Sequence, residues 1–143
     1  MALAIEEAAA AGQRGEVPVG ACITDASGEI LASAGNRTRE LSDPTAHAEL
    51  LVIRRAGNLL DNERLTGCDL HVTLEPCTMC AAAISFARIR RLYFGAGDEK
   101  MGAVEHGPRF FASSTCHHAP EVYAGLGERT SRELLTQFFK DRR

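Results

Sequence analysis

Two hydrophobic periods run through this chain. The first dozen residues are Ala- and Glu-rich and read as a helix closed by Gly12 and Gly15. Residues 17–23 are apolar and partly β-branched, and Asp25-Ala26-Ser27-Gly28 separates them from Ile30-Leu31-Ala32, a pattern that predicts a hairpin. After the polar stretch 36–40, Asp43-Pro44-Thr45 signals a helix start, with residues 46–56 helical and Gly57-Asn58 as the stop. Leu70, Val72 and Leu74 alternate with His71 and Thr73, which is strand periodicity. Pro76 then opens a helix to about residue 87, and residues 91–95 form the next strand. Strand, helix and strand within so few residues predict a crossover with parallel pairing. Residues 98–120 are long and polar for a loop, so they either serve function or hide a short helix. Residues 121–125 suit a last short strand. Thr130-Ser131-Arg132-Glu133 fits a capping box, ahead of an apolar stripe of Leu134, Leu135, Phe138 and Phe139. The pattern predicts one α/β domain over residues 1–143, with a central sheet of about five strands and helices on both faces.

Composition adds limits. With 45% hydrophobic and 24% charged residues the chain has the make-up of an ordinary globular protein. Sixteen Lys and Arg against nineteen Asp and Glu give a net charge of −3, which argues against non-specific coating of nucleic acid. Charge is unevenly placed, however. Arg88, Arg90 and Arg91 cluster, and the chain ends Lys140-Asp141-Arg142-Arg143, so a local basic patch is permitted. The first residues run straight into Glu6-Glu7 without the features of a signal peptide, and no apolar run reaches membrane length. Five cysteines, an odd count, then fit a reducing cytoplasm better than a disulfide framework.

The chemistry concentrates in two short stretches. Cys77 and Cys80 lie three apart, about 300° on a helix, so both thiols leave the same side of its first turn. Unpaired N–H groups there favour thiolate, the metal-binding form. His47 and Glu49 lie two apart at the other helix start, where side chains reach past the end. His47, Cys77 and Cys80 make three zinc ligands and leave one position open, which is the catalytic pattern. Two thiolates neutralise the ion's charge, so the site is a mild Lewis acid that needs a base, and Glu49 is the available carboxylate. Other readings stay open on these residues. Cys77 and Cys80 alone could form a redox pair, and Cys68 or Cys116 could close a structural four-ligand site. Cys22, His71, His117 and His118 read as structural.

Together, the H-x-E and P-C-x-x-C stretches resemble the zinc-dependent cytidine and adenosine deaminase superfamily. Within it the chain is similar to the bacterial tRNA-specific adenosine deaminases. Residues 17–21, Gly35-Asn36-Arg37, residues 43–49, residues 72–80 and Phe94-Gly95-Ala96 match that family's blocks in order. The resemblance implies a three-layer α/β/α cytidine-deaminase-like fold. It implies one zinc per subunit on His47, Cys77 and Cys80, activating water for attack on C6 of adenine, with Glu49 shuttling protons. It also implies substrate contacts at Asn36, Ala46, Asp98, Lys100, Phe139 and Arg142, with core packing an equal role for the phenylalanines. The expected substrate is the wobble adenosine of an arginine tRNA, presented in its anticodon stem-loop. The expected partner is a second copy of the chain, with no membrane and no dinucleotide cofactor. The enzymatic alternative is a deaminase of free nucleobases or nucleosides, of guanine or cytosine type. The non-enzymatic one is a zinc-stabilised binding module.

Overall fold

A computed structural model describes residues 1–142. Arg143, part of the basic end, lies outside them. The elements run α1 (Ala2–Gln13), β1 (Gly20–Thr24), β2 (Ile30–Gly35), α2 (Ala48–Leu60), β3 (Asp69–Leu74), α3 (Thr78–Phe86), β4 (Arg91–Ala96), β5 (Glu121–Ala124) and α4 (Glu128–Asp141). Within the long loop a single 3₁₀ turn spans Phe110–Ala112.

The five strands form one sheet in the order β2-β1-β3-β4-β5. β1 pairs antiparallel with both β2 and β3, whereas β3 and β4 are parallel, as the strand–helix–strand spacing predicted, and β5 adds parallel to β4. The hairpin turn is built by Asp25, whose Oδ1 accepts the N–H groups of Ser27 and Glu29. One sheet face buries Ala21, Ile23, Leu70, Val72, Leu92 and Phe94 against Leu51, Val52 and Ala56 of α2 and Ile84 of α3. The other carries α1 and α4 at close range. A Cβ on Gly20 would stand 2.0 Å from the Ala4 carbonyl of α1, and one on Gly95 would stand 2.7 Å from Ser131 Oγ of α4. Glycine at these positions lets both helices sit down on the strands, and the result is the three-layer α/β/α cytidine-deaminase-like fold.

Several boundaries differ from the sequence reading, and β2, read as residues 30–32, runs on to Gly35. The first strand begins at Gly20, because Val17, Pro18 and Val19 form a turn closed by a bond from Val19 N–H to the Val17 carbonyl. α2 starts at Ala48 rather than residue 46 and runs through Gly57-Asn58, stopping where Asp61 turns left-handed at φ 50°. α3 starts at Thr78, so Pro76 precedes the capping residue rather than opening the helix. α4 is capped by Gly127 at φ 67°, and Ser131, the second residue of the supposed capping box, lies inside the helix with its hydroxyl buried and unpartnered.

One buried carboxylate fixes the polar stretch between β2 and α2. Glu16, 1% exposed, accepts the N–H groups of Arg39 at 3.1 Å and Glu40 at 2.9 Å, and the Thr38 hydroxyl at 3.4 Å. Burial alone would raise its pKa, but these bonds outweigh it and hold the group below the usual carboxylate range. A lowered native pKa stabilises the fold above the unfolded-state value, and that contribution fades as pH falls through the native one. Glu16→Gln should therefore cost roughly 1–3 kcal/mol at pH 7. The gap to the parent protein in denaturant midpoint should close progressively in acid, which unfolding curves between pH 7 and 3 would measure.

Candidate active site

Both ligand-bearing stretches sit at helix N-termini. β3 delivers the chain through Glu75 and Pro76 to Cys77, which caps α3 in extended geometry (φ −74°, ψ 176°). His47 caps α2 in the same way (φ −72°, ψ 152°). An extended capping residue projects its side chain past the helix end, so each helix aims a ligand forward. Cys80 follows one turn into α3 and is fully buried, and Glu49, in the first turn of α2, is 4% exposed.

The ligand atoms converge. His47 Nδ1 lies 3.7 Å from Cys77 Sγ and 3.6 Å from Cys80 Sγ, and all three atoms lie within 4.8 Å of one another. Zinc bonds of about 2.3 Å to sulfur and about 2.0 Å to nitrogen, opened to a tetrahedral angle, span roughly 3.6 Å between the two donors. The cradle therefore fits a tetrahedral zinc ion. It is the one such group among the described residues, and neither Cys68 nor Cys116 joins it. All five cysteines are free. The hydrogen bond with Cys80 is the largest influence pulling the Cys77 thiol down to about 4, with His47 assisting, while the same contact and burial push Cys80 up. Cys77 is thus poised as a thiolate. Burial pushes the Glu49 carboxyl up to about 6 against the pull of His47, close to the working range of a general acid–base.

Asn36 lies at the end of β2 and is 9% exposed. Its Oδ1 accepts the Ala48 N–H at 2.8 Å, satisfying one of the free donors at the start of α2. Its own N–H bonds the Val19 carbonyl, and Arg14 Nη2 donates to its carbonyl at 3.1 Å. The side-chain NH₂ is the group left for another partner. Ala46 is fully buried and bonded internally through its N–H to Asp43 and its carbonyl to Arg37. Its N–H is thus taken, and its carbonyl accepts one bond.

The remaining expected contacts gather on one rim, around a groove of about 1320 Å³ between residues 97–106 and α4. Lys100 points into solvent there, and Asp98 shapes a turn by accepting the N–H groups of Lys100 and Met101 on its Oδ1. Phe139 is 50% exposed and meets Phe138 edge-on at 5.3 Å. Phe138, 8% exposed, packs in the core, and the Arg142 guanidinium lies 3.6 Å from its ring centre. Of the two phenylalanines, one packs and one faces the groove.

Sequence reasoning missed Glu75. Fully buried, it collects the Asp98 N–H on Oε1 and the N–H groups of Val104, Glu105 and His106 on Oε2, at 2.9 to 3.1 Å. His106 Nδ1 donates to Oε1 at 2.6 Å. Burial would raise this carboxyl, but the bonds bring it below the ordinary value. The available signal was an acidic residue closing an apolar strand ahead of a glycine-spaced loop, Gly97, Gly102 and Gly107.

Residues 1–96 match the cytidine and deoxycytidylate deaminase zinc-binding region. A tRNA-specific adenosine deaminase of Agrobacterium fabrum is 64% identical over 143 residues, covering all of this chain and 93% of the relative.

The chain belongs to the tRNA-specific adenosine deaminase family.

It is a zinc-dependent hydrolytic deaminase. A solved structure from work on A-to-I editing by tRNA:A34 deaminases at the wobble position superposes with a TM-score of 0.93 at 64% identity, covering 94% of this chain and 97% of the other. A guanine deaminase from Nitrosomonas europaea superposes with a TM-score of 0.78 at 22% identity, over 96% of this chain and 81% of its own, a likeness of fold alone. If the three side chains hold the deaminase's metal, Cys80→Ser should lower zinc affinity by more than the roughly 10–100-fold that loss of an outer hydrogen-bond partner costs. Metal analysis after dialysis against a graded chelator would measure this; zinc retained at the parent level would remove Cys80 from the ligand set.

Proposed function

We propose that this deaminase converts adenosine to inosine at the wobble position of an arginine tRNA. The observation that carries the substrate class is the 64% identity to a tRNA-specific adenosine deaminase across all 143 residues. The wobble position is supported by the solved relative, 64% identical, which comes from work on editing at that position.

His47, Cys77 and Cys80 would hold one zinc per subunit, and the ion would supply Lewis acidity for activating a water near neutral pH. Glu49 takes a proton from the water and delivers it to N1 of the purine, then moves the proton of the new C6 hydroxyl to the departing amine. The elements of water are added at C6 and ammonia leaves, so the products are inosine and ammonia. Burial of Glu49, with its carboxyl pushed up to about 6, suits a group that must both accept and return a proton. The NH₂ of Asn36 donates to a ring nitrogen of the base, while buried Ala46 packs behind that contact.

A base can reach this site only when it leaves its stack. Lys100, Phe139 and Arg142 border the groove between residues 97–106 and α4, whose lining includes none of His47, Glu49, Cys77 and Cys80. They offer charge for phosphate and a ring for stacking, which suits an anticodon stem-loop. Asp98 shapes the turn that carries Lys100. The protein acts in the cytoplasm as a single domain over residues 1–143 and pairs with a second copy. Phe86, 76% exposed at the end of α3 beside Leu50 and Ile53 of α2, supports that pairing. No helix among the described residues is long and apolar enough to cross a membrane.

Incubation with an arginine-tRNA anticodon stem-loop, followed by digestion to nucleosides, should yield inosine. Its absence, with ammonia released from free guanine or cytosine instead, would replace this reading with a nucleobase deaminase. Glu49→Gln should keep its zinc and lose about 10²- to 10⁴-fold in turnover. An undiminished rate would show that the carboxylate carries no proton.

A further inference from the structure

We infer that Glu75 is a positioning residue for the substrate: its buried carboxylate holds the rim loop of residues 98–106 in its receiving shape and ties that rim to the metal-bearing start of α3. The inference rests on the functional reading above, in which this loop faces RNA.

The loop has little regular structure to define it. It contains no strand or α-helix, and only Gly102 and Ala103 in its middle are buried. Four of its backbone N–H groups, at residues 98, 104, 105 and 106, converge on one carboxylate, and the His106 ring adds a fifth donor. A carboxylate accepts on both oxygens and through about four lone-pair directions, so five donors saturate it. The two ends of the loop are thereby held to the same group, one on each oxygen.

Two further contacts stitch the middle of the loop to the residues after Glu75: Ala103 N–H donates to the Pro76 carbonyl at 2.9 Å, and Cys77 bridges Gly102. Glu75 N–H in turn bonds the carbonyl of Ala96, the last residue of β4. Gly102 is packed so tightly that a Cβ there would stand 2.5 Å from the Glu75 carboxylate and 2.3 Å from the Asp98 carbonyl. Glu75 thus lies between a strand end and a metal ligand, and the loop carrying Asp98 and Lys100 is moulded around it. A shift of the rim relative to the metal would need several of these bonds to break together.

Glu75→Gln retains the shape but presents an NH₂ to converging donors, where an acceptor is needed. Gly102→Ala strains the same cradle from the loop side and leaves residues 74–80 unchanged. Both variants are predicted to keep one zinc per chain and to lose amide-exchange protection at residues 98 and 104–106. Both should raise KM for the anticodon stem-loop by at least about tenfold, the equivalent of roughly one to two lost hydrogen bonds, with kcat changed much less. A residue that merely supported the fold would lower exchange protection across the sheet, or move kcat and zinc content together with KM. Loss of zinc in both variants, unchanged loop protection in both, or unchanged KM in both would each overturn the inference. If the parent protein forms no inosine, the functional reading fails instead, and the exchange measurement still decides whether Glu75 orders the loop.

Discussion

A buried carboxylate that accepts backbone N–H groups from a loop is the interaction on which the architecture around the site depends. It occurs twice. Glu16 gathers residues 38–40, on the path from Asn36 to His47, and Glu75 gathers residues 98–106, on the path out of β4. Loops lack the repeating ladders that satisfy backbone donors in helices and strands, so a buried loop must find acceptors elsewhere. One carboxylate serves several donors at once and gains strength because it is charged. Desolvation opposes this arrangement, yet in both cases the bonds win and the group sits below its ordinary pKa. The two loops that flank the metal cradle are therefore built on interior anchors, with their tips left free for a ligand.

Between the anchors, two helix N-termini meet. Each presents its capping residue, His47 or Cys77, in extended geometry. Partial positive charge at both ends favours thiolate and carboxylate. Asn36 secures the alignment, since its Oδ1 bonds the second helix at Ala48 while its backbone stays in the sheet through Val19. Strand end, helix start and metal ligand are thus fixed within a few residues of one another.

Much of this was legible in the sequence because it follows from local periodicity and spacing. The alternation at Leu70, Val72 and Leu74, the apolar helix after Pro76 and the next strand were enough to predict parallel pairing, which β3 and β4 show. The spacing of Cys77 and Cys80 and the placement of His47 in the first turn of its helix likewise led to a shared cluster. Helix ends were less legible, since Gly57-Asn58 looks like a stop but tolerates helix until Asp61 turns left-handed. Ser131 has the chemistry of a cap, yet it is drawn into the interface beneath Gly95. Glu75 was opaque for a different reason. Its partners lie 23 to 31 residues away and are backbone groups, which carry no signature in side-chain pattern.

The same bookkeeping limits what Asn36 can recognise. Its amide oxygen faces the Ala48 N–H, so the orientation of the amide is set and the oxygen is no longer free to accept from a base. What remains is a donor, and a donor reads a ring nitrogen such as N7, which adenine and guanine share. In the proposed reading that donor meets a purine ring nitrogen, and it does not by itself distinguish the two purines. Adenine and guanine differ at C2 and C6, so the choice between them falls to whatever faces those two positions, with C6 over the cradle and within reach of Glu49. Recognition of a purine and choice of adenine are then separate tasks, divided between the end of β2 and the starts of α2 and α3.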